Sequence, residues 1–413
     1  MDILHQTQTV RALLPRYVER FRCIGAQCED TCCRAWNVGI DEKTFDAYRT
    51  SGHPGLRRQF AISVAKREEG GTSDDFARIA LEPQTLQCPM TEEGLCSVQK
   101  NLGESYLSHT CFTFPRYPRQ FGGQHEQSLS LSCPEAARQA LLAPDAFDFI
   151  EAGMTVRMET VIQTPPAHGL SIEAMNEARI LCLKLIRTDG LEIWQKLAVL
   201  GLFCERLTEV LDGGDAGALA LVDETIALIE QGGIAAALAG MRPDYRSQAT
   251  VFAMFWNGFA VNQAMDVSPV QARIVAAISR GLGADADTSE ARHEQIVQAY
   301  AVGIQRLPEA LAAAPFLLEH FVLNEMFRGM FPFRGKHPYD AFLQLISQFG
   351  LLRLMLAAQC TSPDALPSPQ DMVHTVHVFY RRFQHDARFA QLNGALRRSG
   401  LGTLEKAYRF LRT

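Results

Sequence analysis

Residues Cys23–Cys33, CIGAQCEDTCC, place Cys23, Cys28, Cys32 and Cys33 on one short segment. Thiols this close on a tight loop can converge on a single ion or cluster without long-range folding. Cys88, Cys96, Cys111 and Cys133 follow in the same third of the chain. Each sits beside a turn residue or an expected element end, where a side chain can leave regular structure. Only Cys182, Cys204 and Cys360 lie further on, inside apolar helical stripes, and they read as core residues.

Around that segment, residues 1–135 are broken by Gly, Pro and polar runs such as REEGGTSDD, EPQTLQCPM and PRYPRQFGGQ. A helix is expected from Asp41, whose carboxylate suits a cap, and a second over Leu56–Glu68. RQFGGQHEQSLSLSC suits a small hairpin about its Gly-Gly pair. Pro134 and Glu135 mark a helix start directly after Cys133, where the positive end of the dipole would favour the thiolate. So loop-rich a segment buries little apolar surface, and a metal centre would supply the missing constraint.

Beyond residue 135 the texture changes. SIEAMNEARILCLKLIRT, LEIWQKLAVLGLFCERLTEVL, ALALVDETIALIEQ, PVQARIVAAISRGL and SEARHEQIVQAYAVGIQRL repeat apolar residues at three- and four-residue spacing. Ser171 and Ser289 begin helices, and the pattern continues through two helices after the break TSPDALPSP. The expected fold is mainly α: an irregular cysteine-rich metal-binding domain over 1–135, then a large all-helical domain over 136–413.

The whole chain has 413 residues, 47% apolar and 21% charged, as in ordinary globular proteins. A net charge of −6 argues against general nucleic-acid binding, which needs a basic excess to neutralise phosphates. MDILHQTQTVRALLPRYVERF lacks a signal-peptide core, and no later stretch reads as a membrane span, so a cytoplasmic location is expected. There the cysteines point to metal rather than to disulfides. Only Cys28 and Cys32 fit a zinc knuckle, so an iron–sulfur centre, one 4Fe-4S cluster or two centres, is favoured over zinc.

His109, two residues before Cys111, is a lesser candidate ligand. His374 and His377 stand at i, i+3 spacing and read as a polar helix face. No G-x-G-x-x-G after a strand, no P-loop and no G-x-S-x-G is present. The radical-enzyme pattern C-x3-C-x2-C is also missing, because Cys33 follows Cys32 directly.

These residues resemble the flagellin lysine N-methylases. The resemblance begins at Tyr17-x3-Phe21-x-Cys23-Ile24-Gly25-x2-Cys28-Glu29-Asp30-Thr31-Cys32-Cys33-x2-Trp36. It continues through Cys88-Pro89-Met90, Gly94-Leu95-Cys96, Leu107-Ser108-x2-Cys111 and Leu129–Arg138, with Asn324-Glu325-x6-Phe331-Pro332-Phe333 far downstream. It implies methyl transfer from S-adenosylmethionine to lysine amines of flagellin. Glu29, Asp30 and Trp36 would serve the cationic donor or the acceptor amine, although a turn cap and a packed ring are the favoured reading of Asp30 and Trp36. The competing reading is a non-catalytic metal-binding protein that docks flagellin or handles metal or redox equivalents. Neither a nucleic-acid nor a membrane partner is expected, and the oligomeric state is not written in the sequence.

Overall fold

The computed structural model describes residues 3–260, 268–283, 289–383, 393–394 and 396–412. The chain divides into two compact units. The first comprises Met1–Ala136, Asp148–Gln163 and Gln263–Ala272; the second comprises Ala137–Phe147, Thr164–Asn262 and Arg273–Thr413.

In the first unit the strand Gln8–Pro15 lies between two neighbours. It runs antiparallel to Phe149–Val156, from Gln8 opposite Val156 to Pro15 opposite Phe149. On its other edge it pairs parallel with Gln124–Leu129, Ala12 facing His125. Arg116–Phe121 closes the expected hairpin onto Gln124–Leu129, turning at Gly122 and Gly123, both at positive φ. Ile162–Thr164 completes a sheet of five strands. Two corrections follow. Residues 149–156 and 162–164 were expected to be helical and are strands, and the N-terminal segment contains a sheet rather than irregular structure alone. The backbone of Gln8–Pro15 needs partners on both edges, and they arrive from more than a hundred residues away.

A second layer of this unit holds Cys33, Cys88, Cys96 and Cys111. Asp41 caps the helix Glu42–Arg49, as expected, by accepting the Thr44 N–H at 2.8 Å. The next helix, Pro54–Ser63, is shorter than expected and passes into the strand Val64–Lys66. That strand pairs with Ala77–Ile79, which also pairs with Gly39–Ile40. Tyr48 stacks on Phe60 with ring centres 3.9 Å apart, and Ile40, Leu56, Ala77, Met90, Val98 and Phe112 complete the core. Burial of a side chain of this size contributes roughly 1.5–3 kcal/mol.

The second unit is helical, and its periodic segments form helices at the expected places. These include Ile172–Ile186, capped by Ser171, then Ile193–Val210, Gly214–Gln231, Ser289–Leu311, Leu317–Gly329 and Pro369–Phe383. Of the second helix expected after TSPDALPSP, residues 384–392 and 395 lie outside the described residues; a short helix follows at Leu404–Arg409.

Pro338–Gln359 is the central helix of this unit. Glycines let its neighbours approach closely: a Cβ at Gly303 would stand 2.0 Å from the Ala357 carbonyl oxygen, and one at Gly350 would stand 1.9 Å from the Phe252 ring. Contrary to the sequence expectation, this helix is long and apolar enough to cross a membrane. Its best window has a mean hydropathy of 1.5, but 94% of that window is buried, as in a core helix.

Candidate metal centre

The segment carrying the first four cysteines is shaped by its own backbone. Gly25, at φ +56°, opens a turn over Gly25–Gln27, and the Cys28 N–H closes it on the Gly25 carbonyl at 3.1 Å. The Cys28 thiol donates to the Asp30 carbonyl at 3.3 Å. The Cys33 N–H donates to Thr31 Oγ1 at 3.2 Å, and the Cys33 carbonyl accepts the Cys88 N–H at 2.7 Å. Cys96 ends a tight hairpin whose turn residues Glu93 and Gly94 both have positive φ, at 51° and 78°. Ser108 caps the short helix His109–Thr113 and fixes the Cys111 N–H at 3.3 Å.

Two groups of thiols emerge. Cys33, Cys88, Cys96 and Cys111 all belong to, or pack against, the apolar core of the first unit. Cys88, Cys96 and Cys111 each have their ionisation opposed first by burial and also by the charges of other members of this group. Cys28 and Cys133 are likewise opposed by burial and by Cys23. Cys32 bridges the groups, sharing a hydrogen bond with Cys33 and feeling Cys133 and Cys111. Among the described residues no three of these sulfurs lie within 4.8 Å of one another.

The electrostatics state what these thiols need. Burial pushes Cys28 up to about 11, and Cys88, Cys111 and Cys133 up to about 12. Cys32 is raised by its hydrogen bond with Cys33 and by burial. The same bond lowers Cys33 to about 6. For Cys133 this corrects the sequence expectation. The N–H groups of Glu135 and Ala136 do favour its thiolate, but burial outweighs them. Burial raises the core thiols Cys182, Cys204 and Cys360 in the same way, so it is the number and chemistry of the sulfur donors in the first unit that bear on a metal. A metal ion or cluster fits this donor set.

The other candidates have packing duties. Asp30 is buried and accepts from Gln271 Nε2 at 2.8 Å. Trp36 donates its ring N–H to the Cys32 carbonyl and lies 5.3 Å from the Phe114 ring centre. Glu29 is half-buried. Asn324 Nδ2 donates to the Tyr380 hydroxyl at 3.0 Å, and that hydroxyl donates to Glu325 Oε1 at 2.5 Å. Arg328 pairs with both oxygens of Glu325 at 2.8 and 3.0 Å. Asn324 and Glu325 therefore sit in a buried network between two helices. His374 and His377, read as a polar face, are buried instead. Cys182, Cys204 and Cys360 are buried in the helical unit, as expected.

Sequence reasoning had no means of finding the cavity in the first unit, of about 410 Å³. Its walls include Phe21, Phe112, Glu19, Glu104, Arg22 and Arg116. Arg22 precedes Cys23 and Phe112 follows Cys111 along the chain.

The comparisons give the class of this chain, the protein-lysine N-methyltransferases. The family described as FliB lysine N-methylase C-terminal domain matches residues 179–410. The chain belongs to this family. It is 26% identical over 389 residues to the lysine-N-methylase of Salmonella typhimurium strain LT2, covering 91% of this chain and 92% of that protein. The lysine-N-methylase of Salmonella choleraesuis is as similar. The flagellar biosynthetic protein FliU of Salmonella muenchen is 36% identical over 135 residues, covering 32% of this chain and 78% of that protein. No solved structure matches.

Proposed function

We propose that the chain methylates lysine side chains of flagellin, with S-adenosylmethionine as donor and an iron–sulfur cluster held by cysteines from Cys23 to Cys133. The observation that carries this reading is that eight thiols share one unit of a chain whose family is named for lysine methylation. The flagellar name of one relative supports the choice of flagellin.

Such a cluster, when bound, supplies an iron able to take the donor's amino and carboxylate groups as ligands. The chain itself supplies the rest of the pocket. The cavity beside Phe112 is the donor site: its apolar walls, Leu14, Val18 and Phe21, suit an adenine ring, and the carboxylates of Glu19 and Glu104 favour a sulfonium cation. The lysine amine must shed its proton to attack the methyl carbon, and an apolar approach lowers its pKa for that step. The methyl group then passes to nitrogen, and the sulfonium leaves as a neutral thioether.

Anaerobically purified protein, incubated with flagellin and methyl-labelled donor, tests the proposal. Label on flagellin lysines is expected, with loss of transfer when Glu104 becomes Gln. Metal-loaded protein that transfers no label would overturn the reading.

A further inference from the structure

A second candidate site lies in the same unit but uses none of the cysteines. His5 precedes the first strand, Asp41 caps the helix Glu42–Arg49, and His109 opens the helix His109–Thr113. A ligand atom from each lies within 4.8 Å of the other two, the one such trio among the described residues. His5 Nε2 stands 3.3 Å from Asp41 Oδ1, and the two imidazole rings are 4.6 Å apart at their centres. His5 and Asp41 are 5% and 2% exposed.

We propose that His5, Asp41 and His109 bind one divalent transition-metal ion of the zinc or ferrous class, separate from the cysteine-held centre. Two imidazoles and one carboxylate are the donor set such ions take, with a remaining position open to water. The carboxylate is already oriented by its surroundings: Asp41 accepts from Thr44 N–H and Thr44 Oγ1, both at 2.8 Å, and from the His109 N–H at 3.2 Å. Outer hydrogen bonds of this kind are what fix a ligating carboxylate.

A helix cap with a histidine attached accounts for Asp41 and for His5, whose Nε2 also meets Thr44 Oγ1 at 2.8 Å. It does not account for His109. The Nδ1 atom of His109 is buried with no hydrogen-bond partner, a rare state for a ring nitrogen. An ion bound through this nitrogen would give it one.

The charge around the trio sets a limit on affinity. The Arg157 guanidinium is near enough to act on His109, opposed by Asp41 and Glu159. Its two terminal nitrogens donate to the Leu107 and Glu104 carbonyls at 2.7 and 2.9 Å, and its plane covers Phe112. It therefore does not occupy the ion's place, although it weakens binding of any cation. The ion would tie the start of the chain to the helix that carries Cys111.

The test is cobalt and zinc uptake by the full chain, purified anaerobically with its cysteine centre intact. The wild type should take up one extra equivalent of cobalt, with weak visible bands and no thiolate-to-metal absorption in the near ultraviolet. His5→Ala and His109→Ala should lose that equivalent while iron and sulfide content stay unchanged. Asp41→Asn keeps a good helix cap and so guards against misfolding; it should weaken uptake at least about tenfold. Equal uptake by all the variants, or cobalt spectra carrying a thiolate band, would overturn the proposal.

Discussion

The backbone N–H of Cys88 donates to the carbonyl of Cys33 at 2.7 Å, tying together two thiol-bearing segments that are distant in sequence. This bond, together with the Ser108 cap on Cys111, holds the thiols of the core group on fixed backbone. Serine at Cys111 should therefore leave the fold in place, strip the protein of iron and abolish methyl transfer. Alanine at Cys204, buried in the helical unit, should cost about 1 kcal/mol of stability and leave both iron content and transfer unchanged. Metal analysis and denaturant melts of the two variants check the contrast.

Gly303 meets the carbonyl of Ala357 where the helix Ser289–Leu311 crosses the central helix. An added methyl has no space, and overpacking of this kind costs about 1–3 kcal/mol. Gly303→Ala should lower the denaturant midpoint by that amount. Gly240→Ala, where nothing stands within 4 Å, should not.

Arg353 is fully buried and gathers the end of the chain. It donates to the Leu411 carbonyl at 2.5 Å, the Phe410 carbonyl at 2.6 Å and Gln248 Oε1 at 2.9 Å. Gln248 in turn donates to the Arg409 and Arg412 carbonyls at 2.8 and 2.7 Å. Arg353→Met leaves several acceptors unpaired and should cost roughly 3 kcal/mol or more, with faster proteolysis of the C-terminal segment. Arg353→Lys should rescue only part of this, because an ammonium cannot reproduce the fork.

Asp371 and Ser368 cap the helix Pro369–Phe383 reciprocally: Ser368 Oγ donates to Asp371 Oδ2 at 2.7 Å and accepts the Asp371 N–H at 3.2 Å. Burial alone would raise the Asp371 pKa, but the bonds from Ser368 and Arg273 hold it below the usual range. A carboxylate whose pKa is depressed on folding contributes stability above its unfolded pKa of about 3.9, and loses it as pH falls through the folded value. Asp371→Asn should thus be less stable than wild type at neutral pH, with the difference vanishing in acid. Melts across pH measure it.

The helical unit was legible because each helix writes its own period into adjacent residues, and the caps at Asp41 and Ser171 are local signals. The sheet was not. Gln8–Pro15 is defined by partners at 124–129 and 149–156, and no local pattern names a partner so far away. The cysteines could be seen as a group but not sorted. Only the folded chain sets Cys33, Cys88, Cys96 and Cys111 on one core. The trio of His5, Asp41 and His109 has no motif spacing: Asp41 reads as a cap, and His109 stands out only through its neighbour Cys111. Cys133 shows the limit of dipole reasoning, since its helix start is real and burial still governs its ionisation.

Iron and acid-labile sulfide, measured with the absorption spectrum on anaerobically purified protein, test the central claim most directly. The account predicts a brown protein whose iron and sulfide are present in equal amounts and are lost when Cys111 becomes Ser. A colourless protein carrying only zinc on its cysteines would contradict it.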